Sequence, residues 1–324
     1  MVPQVLVIGA TGRLGGHFVD ALLEAGHRVT ALVRSTSNSD AERRARLQVL
    51  QAKGVVLIEG DLQDPAALQQ AVDMVEAVVS CVGYGPDHLM IQTGLAQAVS
   101  RAKRIRRVMP AQFGIDTRLH ARVEQDDVAG RVQQMFLEAG APATFIHHNG
   151  LASDWVASLG QLGLERPPPK SIEVYGTGDG AIAPVAAEDL ARHAIRALFD
   201  PWAENQNVLI APPENRMSQR RLIRLWEIQS GAVLHRNPVS EQALEARIAA
   251  LAAEATDGPQ LTRAQLVRAA WIEELGNVRG LPGGLELTAL YPDLGYVRTV
   301  DYLTRYLLPK GRTPILSWRR IFPG

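Results

Sequence analysis

VLVIGATGRLGG, residues 5–16, decides the fold. Four apolar residues, Val5, Leu6, Val7 and Ile8, run directly into Gly9, and Gly12 and Gly15 follow where a helical pattern begins. A continuous apolar run suits a strand buried on both faces, as in a parallel sheet. A glycine-rich turn between such a strand and a helix suits a dinucleotide: the first glycine permits the tight turn and the second lets backbone approach a pyrophosphate. The helix start adds N–H donors and the positive end of the dipole. Glycine triplets are common in turns; the place of this one in the first βαβ unit of the chain is what gives it weight.

Working outward, the β-rich runs 28–33, 55–60, 77–83, 106–111 and 143–148 alternate with helical patterns at 12–25, 40–53, 65–75, 87–103 and 126–142. In the last of these, DDVAGRVQQMFLEAGAP, apolar Val128, Val132, Met135, Phe136 and Ala139 fall on one helical stripe, closed by Gly140 and Pro142. Strands separated by helices in this rhythm imply a parallel sheet wound on both faces. Right-handed crossovers then gather the strand C-termini on one edge, where ligands bind. After Asn149 the rhythm changes. The Pro- and Gly-rich stretch 165–180 is followed by helical patterns at 186–200, 218–231, 240–255, 261–276 and 296–308, and by one strand in NQNVLIAPP (205–213). The expected organisation is a Rossmann-type α/β domain over 1–150 and a smaller, mostly helical substrate lobe over 151–324, with one or two segments returning to the main sheet.

A chain of 324 residues, 46% hydrophobic, can bury a sizeable core. Lys+Arg and Asp+Glu both number 34, so no global field draws in nucleic acid or an acidic surface. The basic run RAKRIRR (101–107) lacks interleaved aromatics and straddles a helix end and a strand, where the helix dipole favours cations. The single cysteine, Cys81, excludes an intrachain disulfide and fits a reducing compartment. No run of eighteen apolar residues exists and no charged leader precedes the first strand, so no membrane span is expected and the cytoplasm is the default location.

In an NAD-specific site an acidic residue ends the second strand; here Arg34 stands there, and a guanidinium suits the 2′-phosphate of NADPH. Arg13 in the glycine loop is placed to assist. Of the arginines that follow, Arg46 and one of Arg43 and Arg44 read as solvated helix-face charges. The candidate cofactor residues are Gly9, Thr11, Gly12, Arg13, Leu14, Gly15, Arg34, Ser35, Cys81, Val82, Gln112, Phe113 and Asn149. Other chemistries fail on spacing. The only Tyr-x-x-x-Lys pair is Tyr306 and Lys310, interrupted by Pro309; adjacent His147 and His148 point to opposite faces of a strand, and no metal set or G-x-S-x-G elbow is present. Hydride transfer remains, with the cofactor carrying the reaction.

With these residues in view the chain resembles the isoflavone-reductase-like family of atypical short-chain dehydrogenases, within the wider NmrA-like proteins. The resemblance rests on GATGRLGG, the arginine of LVRS, GDL (60–62), IRRVMPAQFGID (105–116), EAGAPATFIHHNG (138–150), APPENRMSQRRLIRLWEIQSG (211–231) and LTALYPDLGYVRTVDYL (287–303). It implies an NADPH-dependent reductase of phenylpropanoid-derived aromatics, a pinoresinol-type lignan foremost. There hydride reaches a benzylic carbon as a cyclic ether opens, through a quinone methide. A homodimer is implied too, and the arginine- and alanine-rich composition fits a high-GC bacterium that breaks down lignin fragments.

Two departures stand out. The glutamate of the family's PSEFG segment is Gln112 here, and its catalytic lysine aligns with Ala129. The second family lysine falls at Arg131, about 200° around the helix from that position. His120 and His148 are therefore the candidate proton-transfer residues, since imidazole titrates near neutrality. The missing lysine keeps a second reading open, an NmrA-like NADP(H)-binding sensor without turnover. A nucleotide-sugar epimerase or dehydratase is weaker, because those also rely on Tyr-x-x-x-Lys.

Overall fold

The computed structural model describes residues 2–34, 41–83, 91–114, 124–161, 163–254, 259–274 and 285–308. Ser35 and His120 lie outside them. The first half runs β1 (Gln4–Ile8), α1 (Arg13–Glu24), β2 (Arg28–Val33), α2 (Ala41–Ala52), β3 (Val56–Glu59), α3 (Pro65–Asp73), β4 (Ala77–Ser80), α4 (Thr93–Arg101), β5 (Arg107–Met109), α5 (Glu124–Glu138) and β6 (Thr144–His148). Strands β1 to β5 form a parallel sheet in the order β3-β2-β1-β4-β5. Alternation along β1 divides the core. Val5 and Val7 face Phe18, Val19 and Leu22 of α1, whereas Leu6 and Ile8 face Leu68 and Val72 of α3, Leu95 and Val99 of α4, and Phe136 of α5.

The second half continues with α6 (Ala152–Trp155), β7 (Ser171–Tyr175), β8 (Ala181–Ile182), α7 (Ala187–Leu198), β9 (Gln206–Ile210), β10 (Met217–Ser218), α8 (Gln219–Ser230), β11 (His235–Val239), α9 (Glu241–Ala253), α10 (Pro259–Trp271) and β12 (Leu285–Glu286). Strands β9 and β12 add to β6 in parallel, in the order β12-β9-β6. A bridge between Val108 and Ala143 and the hydrogen bond from Val108 N to Pro142 O (2.9 Å) join this group to β5. Helix α7 shares the core of α1 through Leu190, Ala191 and Ala194. The sheet layer is thus completed by residues well beyond Asn149. Helices α8, α9 and α10 form the lobe, α8 capped by the Ser218 hydroxyl accepting from Arg221 N and ended by left-handed Gly231. The lobe also holds a parallel pair, β7 with β11, inside Pro- and Gly-rich sequence. Pro238 is tolerated in β11 because a two-stranded ribbon leaves one side of each strand unpaired.

Two buried side chains hold the seam where β5 gives way to β6. Arg107, 4% exposed, donates to Thr144 Oγ1 (3.2 Å) and pairs with Glu204 (3.4 Å). Gln92, wholly buried at the start of α4, accepts from Ala111 N (2.7 Å) and donates to Ala111 O (3.3 Å). Its amide does for Ala111 what a neighbouring strand would do, just past Pro110. Leucine at position 92 should strand both backbone groups and cost about 2 kcal/mol. Urea unfolding of Gln92→Leu should therefore show a lower midpoint at an unchanged slope; an unchanged midpoint would show that the clamp carries no stability.

Candidate active site

One cavity of about 860 Å³ runs along the C-terminal ends of β1 to β6 and on into the lobe. Its first wall is the glycine turn. Gly9 has φ +78°, and a Cβ there would strike the carbonyl of Cys81. Gly12 N donates to Gly9 O (2.9 Å), closing the turn, and a Cβ on Gly15 would strike that same Gly9 carbonyl. Gly9 and Gly12 line the cavity, with Thr11, Arg13 and Leu14, whereas Gly15 lets helix and strand pack. Helix α1 starts there with no side-chain cap and no acidic residue in its first turn. Its first N–H groups and dipole are left to an anion.

At the end of β2, Arg34 and Arg43 line the same cavity, and Arg43 donates to the Arg34 carbonyl (2.8 Å). Arg46 instead pairs with Glu42 on its own helix (3.0 Å). Past β3 come Gly60, Asp61, Leu62 and Gln63, which the reading of the second strand alone passes over. They sit on the cavity because β3 runs parallel to β2, so its C-terminal end shares that edge. Cys81 and Val82 follow β4. Burial pushes the Cys81 thiol up, so it stays neutral and unreactive.

Phe113, Gly114, His148, Asn149 and Gly150 close the middle of the cleft. Gln112 does not line it. Only 3% exposed, its amide donates to Gln133 Oε1 on α5 (3.4 Å) and leaves its own Oε1 buried without a partner. Chain direction explains this: alternation after Pro110 sends Phe113 and Gln112 to opposite sides of the wall. His148 lies in the cleft but not in the state the sequence suggests. Its Nδ1 accepts from Gly150 N (3.0 Å), and burial, helped by neighbouring His147, lowers its pKa to about 4. A proton acceptor poised near neutrality is therefore replaced by a neutral imidazole whose Nε2–H is the group left to donate.

The far end of the cleft belongs to the lobe: Leu151 just before α6 and Trp155 at its end, Ile182 from β8, Leu266 and Ala270 from α10. Trp155 stands edge-on to Trp271 with centroids 5.4 Å apart. Gly150, at φ +114°, leaves room for the Trp155 ring, and Gly160 and Gly180 do so for Trp271. Arg13 reaches across the opening to Asp154 at 2.9 Å, so the glycine turn and the lobe are bridged by an ion pair. Local motifs could not have found these residues, because only tertiary packing brings α6 and α10 to the strand ends.

The cleft is polarised. Arginines and a bare helix start mark one end, aromatic and aliphatic side chains the other. Among the described residues no group of three metal-binding side chains is assembled, and no lysine lines the cavity. A dinucleotide phosphate fits the first end: glycines that only a bare Cα can occupy, N–H donors, and two guanidinium groups. No helix among the described residues is long and apolar enough to cross a membrane.

Residues 1–303 match the NmrA-like family. The chain is 32% identical over 308 residues to an isoflavone reductase homolog from Zea mays, covering 94% of this chain and 98% of that one. It is 32% identical over 317 residues to a bifunctional pinoresinol-lariciresinol reductase from Linum perenne, covering 94% and 99%. A solved structure of AtPrR2 with NADP+ and (+)pinoresinol superposes with a TM-score of 0.86 at 27% identity, covering 95% of this chain and 99% of that one.

The depressed pKa of His148 has a testable sign. The unfolded imidazole takes up its proton near 6.5 and the folded one near 4, so between these values the unfolded state binds more protons. Stability from this group is whole above pH 6.5 and is lost as pH falls toward 4, at about 1.4 kcal/mol per unit and about 3 kcal/mol in all. Urea unfolding at pH 7 and pH 5 should show wild type losing more stability than His148→Asn. Equal losses would mean that His148 keeps an ordinary pKa.

Proposed function

The chain belongs to the NmrA-like family, and we propose that within it the protein reduces a phenylpropanoid-derived aromatic, a pinoresinol-type lignan foremost, at a benzylic carbon. It is an oxidoreductase of the isoflavone reductase-like kind, and NADPH, its cofactor, supplies the hydride. The observation that carries the proposal is one cleft with an arginine end and a tryptophan-walled apolar end.

The residues divide the work along that cleft. The turn from Gly9 to Leu14 and the first N–H groups of α1 would hold the pyrophosphate. Arg34 and Arg43 would take the 2′-phosphate, since paired guanidinium groups discriminate a phosphate from a hydroxyl. Phe113 and Asn149 stand between the two ends and would flank the reacting ring. Trp155, Ile182, Leu266 and Ala270 would receive the aryl group and exclude water. The Nε2–H of His148 would orient an oxygen by hydrogen bonding, without exchanging a proton near neutral pH. That leaves His120 as the residue assigned to proton transfer at the phenol or the leaving oxygen.

Alanine at position 129, where the family's catalytic lysine aligns, favours the second reading, cofactor binding without turnover; the reductase names of the relatives favour the first. Purified protein given NADPH with pinoresinol, lariciresinol, an isoflavone and simple aromatic ketones should oxidise the cofactor with a lignan. Tight NADPH binding with no oxidation by any of them would sink the reductase reading. For the cofactor end, Arg34→Asp should lower the ratio of kcat/KM for NADPH over NADH by at least about tenfold, the loss of roughly one charge-assisted contact. An unchanged ratio would remove Arg34 from that role.

A further inference from the structure

The ion pair that crosses the cleft is strung between two fixed points. Arg13 opens α1 directly after the glycine turn, which is closed by Gly12 N donating to Gly9 O (2.9 Å) and Gly16 N to Gly12 O (3.0 Å). Asp154 stands on α6, where Ala152 N donates to Val185 O (2.8 Å) and Ser158 Oγ to the Asp154 carbonyl (2.6 Å). Its neighbour Trp155 is buried. Both backbones are therefore held, and the long arginine side chain spans the distance between them. Arg13 and Asp154 both line the cofactor cleft.

The contact engages one nitrogen of the guanidinium. Nη2 of Arg13 lies 2.9 Å from Oδ1 of Asp154 and 3.2 Å from Oδ2. A guanidinium fans its N–H donors in a rigid planar fork, so Nη1 and Nε keep theirs, and among the described residues these meet no acceptor. The two side chains are 62% and 38% exposed, and a pair so open to water adds little to stability. Its effect on a ligand is another matter. Fixing an arginine costs much rotamer freedom, and an anion that finds the fork already fixed binds without that cost.

We propose that Asp154 is a positioning residue for the cofactor: it holds the Arg13 guanidinium at the start of α1 so that Nη1 and Nε are presented to the pyrophosphate. The assignment rests on the cofactor site and not on turnover, so it applies equally to a reductase and to a sensor. Charge alone predicts the opposite effect. A carboxylate near a pyrophosphate repels it, so removing that carboxylate should tighten binding. The sign of the change therefore separates positioning from simple repulsion.

The test is isothermal titration of the full chain with NADP+, together with 2′-AMP, which keeps the 2′-phosphate and lacks the pyrophosphate. Asp154→Asn should weaken NADP+ binding by about threefold to tenfold and leave 2′-AMP binding unchanged. Arg13→Gln should weaken NADP+ binding at least as much, and adding Asp154→Asn to it should change nothing further, because the second residue acts through the first. Asp154→Glu, which keeps the carboxylate, should recover part of the loss. The urea midpoint of Asp154→Asn should match wild type, as expected for an exposed pair. Unchanged or tighter NADP+ binding by Asp154→Asn, an equal loss for 2′-AMP, a further loss in the Arg13→Gln background, or a lowered urea midpoint would each overturn the proposal.

Discussion

The structure depends on a point of contact that admits no side chain. At Gly9 the end of β1 meets the carbonyl of Cys81 at the end of β4, and one turn later α1 passes against the Gly9 carbonyl at Gly15. Two central strands and the first helix converge there, and any Cβ would force one of them away. Because the helix must begin so close to the strand ends, its unpaired N–H groups open onto the cleft. Closing the turn and creating an anion site are the same event. The bare N-cap of α1 follows from it: a side-chain cap or an acidic first turn would compete with the ligand for those donors.

From that point the cleft is organised by polarity. Arg34 and Arg43 extend the positive end along β2 and α2, while the opposite end is built from the second half of the chain. The two are tied by Arg13 and Asp154, an exposed pair of small energetic worth that nonetheless bridges the cleft. Between them His148 illustrates how burial sets chemistry. A ring fixed by Gly150 N and starved of solvent stays neutral, so position alone does not make it an acid or a base.

Legibility in the sequence followed the range of the forces involved. Parallel strands such as β1 and β2 are rich in apolar and β-branched residues, and α8 carries its own start and stop in Ser218 and Gly231, so local pattern finds them. The glycine turn and the strand-end residues Cys81, Val82, Phe113 and Asn149 were readable because one rule about sheet edges places them. Strands β7 and β11 were not, since proline and glycine hide a ribbon that only mutual pairing stabilises. Trp155, Leu266 and Ala270 were hidden for a different reason: their helices look like any amphipathic segment until the lobe packs on the sheet. Gln112 sits one residue from the cleft yet faces α5, a difference that side-chain alternation decides and motif matching does not.

That orientation also makes sense of one departure from the family pattern, the amide at position 112. The wall between the cleft and α5 is nearly dry, with Gln112 3% and Gln133 8% exposed. A glutamate at position 112 would need a cation to offset its desolvation. A buried charge without such a partner is strongly destabilising. This chain has an amide at position 112, and the partner of that amide is another amide, Gln133. The contact behind the cleft wall is therefore made without any charge, and a neutral amide pair can stay buried where a lone carboxylate could not.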